Sequence, residues 1–145
     1  MFENVRHFFD ARASEWDANI PPESIQRAKE MITSVNWRGV ERVLDIGCGT
    51  GVLFPILFSR LKRGARVVAL DFSYKMVQQA RAKPITGNIQ LLQADALNCP
   101  FPEKCFDCVV CYNTFPHLIR YKAAFAEFKR LLHPGGMLLV LHSKS

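Results

Sequence analysis

The chain has 145 residues, of which 49% are hydrophobic and 22% charged, with a net charge of +6. That length sets one domain able to bury a core of its own, and no run of about eighteen apolar residues is present to cross a bilayer. The N-terminal stretch MFENVRHFFDARASEWD is polar and amphipathic, without the apolar centre of a signal peptide, so the expected location is cytoplasmic.

In chain order, an N-terminal segment (about 3–13) precedes Pro21-Pro22, which open a helix with Ile25, Ala28, Ile32 and Val35 at helical spacing. A first strand (42–46) runs into a glycine-rich turn, and a helix from about 52 to 62 follows, closed by Gly64. The second strand is RVVAL (66–70). Asp71 ends it, and Ser73 can cap a helix that buries Met76, Val77 and Ala80. Pro84 and Gly87 interrupt before a third strand (89–93). A polar loop (95–104) leads to the fourth strand, FDCVVCY (106–112). A helix with Phe125, Phe128 and Leu132 on one face follows, then HPGG (133–136) and a fifth strand, MLLVLH. Strands alternating with helices predict an α/β domain built on a mostly parallel, doubly wound sheet.

In such a sheet ligands sit beyond the carboxyl ends of the strands. That brings 45–51, Asp71, Asp95 and 112–114 toward one cleft. The turn VLDIGCGTG holds Gly47, Gly49 and Gly51, a G-x-G-x-G spacing with Val52 where a dinucleotide fingerprint would place its last glycine. Glycine there lets the backbone turn with positive φ and approach a ligand closely. The turn carries no lysine, so it is not a P-loop. Three carboxylates at strand ends (Asp45, Asp71, Asp95) suit a ligand with hydroxyls, amino groups and positive charge rather than a bare pyrophosphate. An acid at the end of the second strand is placed to accept from ribose hydroxyls.

These segments resemble class I S-adenosylmethionine-dependent methyltransferases. VLDIGCGTG (43–51) is similar to the family's first motif, ALDFS (69–73) to its ribose-binding turn and QADA (93–96) to its adenine-side acid. PFPEKCFDCVVCYNTFPHL (100–118) and FKRLLHPGGMLLV (128–140) resemble its fourth and fifth strands with the segments beside them. FFDARASEWD resembles the N-terminal cap of small-molecule methyltransferases of the quinone-biosynthesis type. The resemblance implies a Rossmann-like sheet in the order 3-2-1-4-5, with cap helices over 1–38 and the cofactor-binding core over 39–145. It implies S-adenosyl-L-methionine as cofactor, S-adenosyl-L-homocysteine as product, and a small-molecule acceptor. Gly47 and Gly49, with Cys48 and Gly51 in the same turn, would lie along the methionine part, Asp45 helping to order the turn and the ammonium. Asp71 would take the ribose hydroxyls, Asp95 and the Ala96 N–H would read the adenine, and Phe72 and Leu97 would flank it. The main chain at Tyr112 and Asn113 would complete the pocket near the sulfonium.

A general base is needed only if the acceptor must lose a proton. His117 is the best-placed imidazole, set against the alternative that it merely packs at a helix start; His7 is a weaker candidate. Trp16, Phe8 and Phe9 form either an aromatic lid or a packing staple. The cysteine series Cys99, Cys105, Cys108 and Cys111 does not make a metal site, because Cys108 and Cys111 fall on opposite faces of one strand; reduced thiols in the core are expected. The basic group Arg60, Lys62, Arg63 and Arg66 sits where a helix ends and complements its dipole, which disfavours nucleic acid as a partner. The family usually continues past its fifth strand with a helix and antiparallel strands that this sequence does not contain, so either the sequence is a fragment of a longer protein or the edge of the fifth strand supports self-association, the latter being the expectation. A cofactor-binding module without turnover and a nicotinamide-dependent oxidoreductase are the alternative functions.

Overall fold

Five parallel strands pair in the order β3-β2-β1-β4-β5, as the sequence reading expects. The computed structural model describes residues 2–112 and 120–141, with side chains from Arg6 onward. The strands are β1 (Arg42–Ile46), β2 (Arg66–Asp71), β3 (Asn88–Gln93), β4 (Phe106–Tyr112) and β5 (Leu132–Leu141). The helices are α1 (Phe2–Arg12), α2 (Pro22–Ser34), α3 (Phe54–Arg60), α4 (Tyr74–Ala82) and α5 (Tyr121–Leu131).

Alternation along the strands divides the core. On one face Val43, Val67, Cys108 and Val110 pack with Ala28 and Ile32 of α2 and with Leu57 of α3. On the other, Leu44, Ile46, Leu70, Val109 and Cys111 pack with Ala124, Phe128 and Leu131 of α5. Parallel strands covered on both sides read as nearly continuous apolar runs; β4 does so over Cys108, Val109, Val110 and Cys111, while β1 is interrupted by Asp45. Each fully buried aliphatic or aromatic side chain here contributes about 1.5–3 kcal/mol. Cys108 and Cys111 do lie on opposite faces, and among the described residues no cluster of His, Cys, Asp or Glu could hold a metal. No described helix is long and apolar enough to cross a membrane.

Three details differ from expectation. Helix α3 begins at Phe54, because 51–53 are still in the turn that follows the glycines. On α5 the buried positions are Ala124, Phe128 and Leu131, whereas Phe125 is 42% exposed. Both sets have helical spacing through Phe128. The choice falls to Leu132, which is extended (φ −87°, ψ 141°) and pairs with Phe106 as the first residue of β5. On α2, Ile25 is exposed and Ser24 is buried in its place.

Strand entry is fastened by a side chain. Asp107 Oδ2 accepts the N–H groups of Glu41 and Arg42 at 2.8 and 2.9 Å, closing the start of β1 onto β4. Replacing Asp107 by Ala leaves both donors to water, and a loss of about 1–2 kcal/mol is expected in urea unfolding; an unchanged midpoint would show that the bonds contribute nothing net.

Candidate functional site

The carboxyl end of β1 turns through three glycines in the left-handed region, Gly47 (φ 69°), Gly49 (φ 56°) and Gly51 (φ 83°). The Cys48 N–H donates to Leu70 O at 2.9 Å, which hooks the turn onto the end of β2. The Gly49 N–H donates to Asp71 Oδ2 at 2.8 Å. A Cβ at Gly49 would meet nothing within 4 Å, so the space over this residue is open. At Gly51 a Cβ would lie 2.5 Å from the Phe54 ring, which fills the back of the turn.

Two acids lie beneath and beside the turn. Asp45 is 1% exposed, and neither carboxylate oxygen has a hydrogen-bond partner among the described residues. Burial first, and then the neighbouring Asp71 carboxylate, push its pKa up to about 8. Asp71 is also raised by burial, opposed by the N–H groups of Ser73 and Gly49 and reinforced by Asp10. Its Oδ1 accepts the Ser73 N–H at 2.8 Å. Asp71, not Asp45, therefore orders the glycine turn. Each Asp71 oxygen has accepted one N–H, and each retains a second lone pair for a ligand.

The next strand end is joined on. The Ala94 N–H donates to Asp71 O at 3.0 Å, and Gln93 Nε2 donates to Phe72 O at 3.0 Å. Asp95 and Ala96 follow directly. Asp95 Oδ1 accepts the Leu97 N–H at 2.8 Å, while Ala96 is buried and Leu97 and Phe72 are half-buried. On the other side of β1, Ile46 pairs with Cys111, so Tyr112 follows the strand end beside Gly47. A cavity of about 400 Å³ opens at Tyr112 and Leu141, walled by Ala28, Met31, Arg27 and Ser24 of α2. The sheet thus brings together Asp45, the turn 47–51, Asp71, Phe72, 95–97 and Tyr112. Asn113 and His117 lie outside the described residues, and His7 is an exposed residue of α1.

The N-terminal segment reaches the same end of the sheet. The Ser73 hydroxyl donates to Asp10 Oδ1, and the Thr50 hydroxyl, inside the glycine turn, donates to Asp17 Oδ1. Lys83 pairs with Asp17 Oδ2 at 2.8 Å. Burial works against ionisation of Asp17, but the hydrogen bonds from Lys83 and Thr50 outweigh it and hold the carboxyl below its ordinary range. Phe9 meets Trp16 and Phe8 edge-on at 5.4 and 5.2 Å, so the aromatic group packs within its own segment while the two acids fasten that segment down. Sequence reading missed Thr50, Asp10 and Asp17 as parts of the site. Their signal was weak: a hydroxyl among glycines and two acids in a polar stretch.

Comparison with known proteins adds the family. The methyltransferase domain family matches residues 44–140, more than half of the chain, covering the glycine turn and every strand end described above. The chain belongs to this methyltransferase family. Demethylmenaquinone methyltransferase of Thermus thermophilus is 41% identical over 103 residues, which are 70% of this chain and 46% of that protein. The ubiquinone/menaquinone biosynthesis C-methyltransferase of Escherichia fergusonii is 32% identical over 146 residues, 94% of this chain and 58% of that one. The chain thus spans about half the length of these curated relatives. Among solved structures, the methyltransferase partner in a complex with the Haloferax volcanii Trm112 methyltransferase activator superimposes with a TM-score of 0.83 at 28% identity, covering 91% of this chain and 58% of that one. The DhpI–SAH complex gives 0.78 at 26% identity, covering 97% and 68%. The architecture of this methyltransferase domain is therefore that of the class I enzymes.

Proposed function

We propose that the chain binds S-adenosylmethionine at the glycine turn and transfers its methyl group to a small-molecule acceptor. The observation that carries this reading is Asp45, a fully buried carboxylate without a donor among the described residues. A buried acid in that state is costly unless a cation or donor completes it. The ammonium of the cofactor's methionine part supplies the missing charge, and the open space over Gly49 admits its chain. The residues present therefore fit the group. Bound there, the cofactor supplies a methyl carried on a positively charged sulfur. Asp71 accepts ribose hydroxyls on its remaining lone pairs, and Asp95 with the Ala96 N–H receives the adenine between Phe72 and Leu97. The main chain at Tyr112 closes the sulfur end.

In this reading the protein contributes orientation and exclusion of water, which lower such barriers by roughly 7–11 kcal/mol. The cavity at Tyr112 lies one strand from the turn; Ala28, Met31 and Leu141 give it apolar walls, and Ser24, Arg27, Glu30 and Ser34 give it polar ones. That lining suits an acceptor with an apolar body and polar substituents, such as a quinone-like ring. His117 serves as base where the acceptor must lose a proton. Self-association through β5 belongs to the same proposal: among the described strands β5 pairs with β4 alone, and its Met137 and Leu139 are half-buried. A monomer at micromolar concentration in analytical ultracentrifugation would remove that part.

Calorimetry with S-adenosylhomocysteine tests the central reading. Micromolar binding is expected in the parent chain, with a loss of about tenfold or more in Asp71→Ala. Absence of heat in the parent, or equal affinity in the variant, would sink it. Transfer of a labelled methyl group to quinone-like acceptors separates an enzyme from a binding module.

A further inference from the structure

The loop between β3 and β4 holds the residues assigned above to the purine, yet it contains little regular structure of its own. Asp95 forms a one-residue bridge with Asn98, and the Asn98 N–H donates to Asp95 O at 3.0 Å. From there the loop is fastened from outside by two side chains of α5. Glu127 Oε2 accepts the Cys99 N–H at 2.7 Å. Arg130 donates from Nη2 to Cys99 O at 3.2 Å and from Nη1 to Phe101 O at 2.8 Å. The two side chains are bound to each other in a fork, Nε to Oε1 at 2.5 Å and Nη2 to Oε2 at 3.0 Å. Cys99 is buried, and its Sγ lies 3.7 Å from Asp95 O and 3.6 Å from Ala96 O as a donor to both. The clamp on Cys99 is thereby passed to the backbone of Asp95 and Ala96.

This arrangement exceeds what fold stability asks of a surface helix. A Glu and Arg pair three residues apart on a helix stabilises it by a few tenths of a kcal/mol when it points to water. Here both side chains turn onto a loop, and every loop bond is charge-assisted. Glu127 and Arg130 satisfy one N–H and two carbonyls within 99–101, in a segment with no strand partner to do so. Arginine is required, because its rigid fork reaches Glu127 and two carbonyls at once, which a lysine ammonium on a flexible stem cannot.

We propose that Glu127 and Arg130 are positioning residues for the purine end of the ligand, fixing Asp95 and the Ala96 N–H so that the site distinguishes an amino group from a carbonyl on the purine ring. The inference rests on the cofactor reading given above and goes beyond it by assigning base selectivity to α5. Neither side chain touches the ligand in this scheme. Asp95 Oδ1 is held by the Leu97 N–H, and its other oxygen has no protein donor among the described residues. That oxygen can accept from an amino group, whereas a carbonyl facing it is repelled. Selectivity follows only while the loop cannot move to relieve the repulsion.

The test compares S-adenosylhomocysteine with S-inosylhomocysteine, in which a carbonyl replaces the purine amino group, by calorimetry on the parent chain, Arg130→Lys and Glu127→Gln. The parent is expected to prefer the amino ligand by about tenfold or more. In the two variants the preference should fall to within about threefold, mainly through weaker binding of S-adenosylhomocysteine. Trp37→Phe serves as a stability control: it removes the 2.6 Å bond from Trp37 Nε1 to Ile32 O on the opposite face of the sheet and should leave the preference intact. If the parent binds neither ligand, the cofactor reading falls and this inference with it. If the parent discriminates and either folded variant discriminates equally well, the positioning role alone is overturned. Loss of preference in Trp37→Phe would also overturn it, since general loosening would then explain the effect. Glu127→Gln keeps the size of the side chain but turns one accepting oxygen into an NH2 donor facing Arg130 or the Cys99 N–H, so it weakens the clamp and supplies a folded variant where Arg130→Lys does not.

Discussion

At pH 8 the Asp45→Asn variant is expected to unfold at a higher temperature than the parent chain and to bind S-adenosylhomocysteine without measurable heat. Both results follow from one buried carboxylate without a partner. Burial and then Asp71 raise its pKa in the folded state to about 8, against about 4 in the unfolded chain. Below pH 4 both states are protonated and nothing is lost. Between those values the unfolded chain has released the proton and the folded chain still holds it, so stability falls as pH rises, by up to about 1.4 kcal/mol per pH unit. Above pH 8 the folded form is ionised as well, and the slope vanishes. Asparagine has no proton to hold. The difference in melting temperature between variant and parent should therefore widen from pH 5 to pH 8. A constant difference would show that Asp45 titrates normally. For the parent, a ligand ammonium beside Asp45 lowers that pKa, so binding at pH 7 should release a proton. Calorimetry in buffers of different ionisation enthalpy reads this directly.

The glycines of the turn should separate fold from function. Gly51→Ala places a Cβ 2.5 Å from the Phe54 ring at φ 83°, and Phe54 is 2% exposed in a packed cluster with Cys48, Ala69 and Ala80. Steric overlap and left-handed strain together are expected to destabilise the chain by about 2–4 kcal/mol, seen as a lower urea midpoint. Gly49→Ala meets nothing within 4 Å at φ 56°, so it carries only the backbone strain of about 1–2 kcal/mol. It leaves the chain folded but puts a methyl group in the open space over the turn, and a loss of S-adenosylhomocysteine affinity of about tenfold or more is expected. Were Gly49→Ala to bind as the parent does, the ligand would not run over this part of the backbone.

Much of the architecture was legible because it rests on local patterns. Largely apolar segments of five to seven residues, ending in Ile46 one residue past Asp45, in Asp71 and in Tyr112, specify strands and the polar groups near their tips. Ser73 caps α4 as its position suggests, accepting the Met76 N–H at 3.2 Å. The glycine spacing announced positive φ, and all three residues have it. Periodicity was less decisive where two faces share a residue: Phe128 belongs to both candidate faces of α5, and strand pairing of Leu132 settled which was buried.

The sequence by itself determined the order of the elements, the turn chemistry and the residue types gathered at the strand ends, since each depends on spacing along a few residues. Only the tertiary structure decided how those residues divide the work. It gave the ordering of the turn to Asp71 through the Gly49 N–H, left Asp45 without a partner, and brought Asp17 to Thr50 and Glu127 to Cys99. The bonds Asp71–Gly49, Asp17–Thr50 and Glu127–Cys99 join residues 22, 33 and 28 positions apart. Periods of two and 3.6 residues carry no information at that range. Whether a buried carboxylate finds a donor there depends on how helices and loops settle around the sheet.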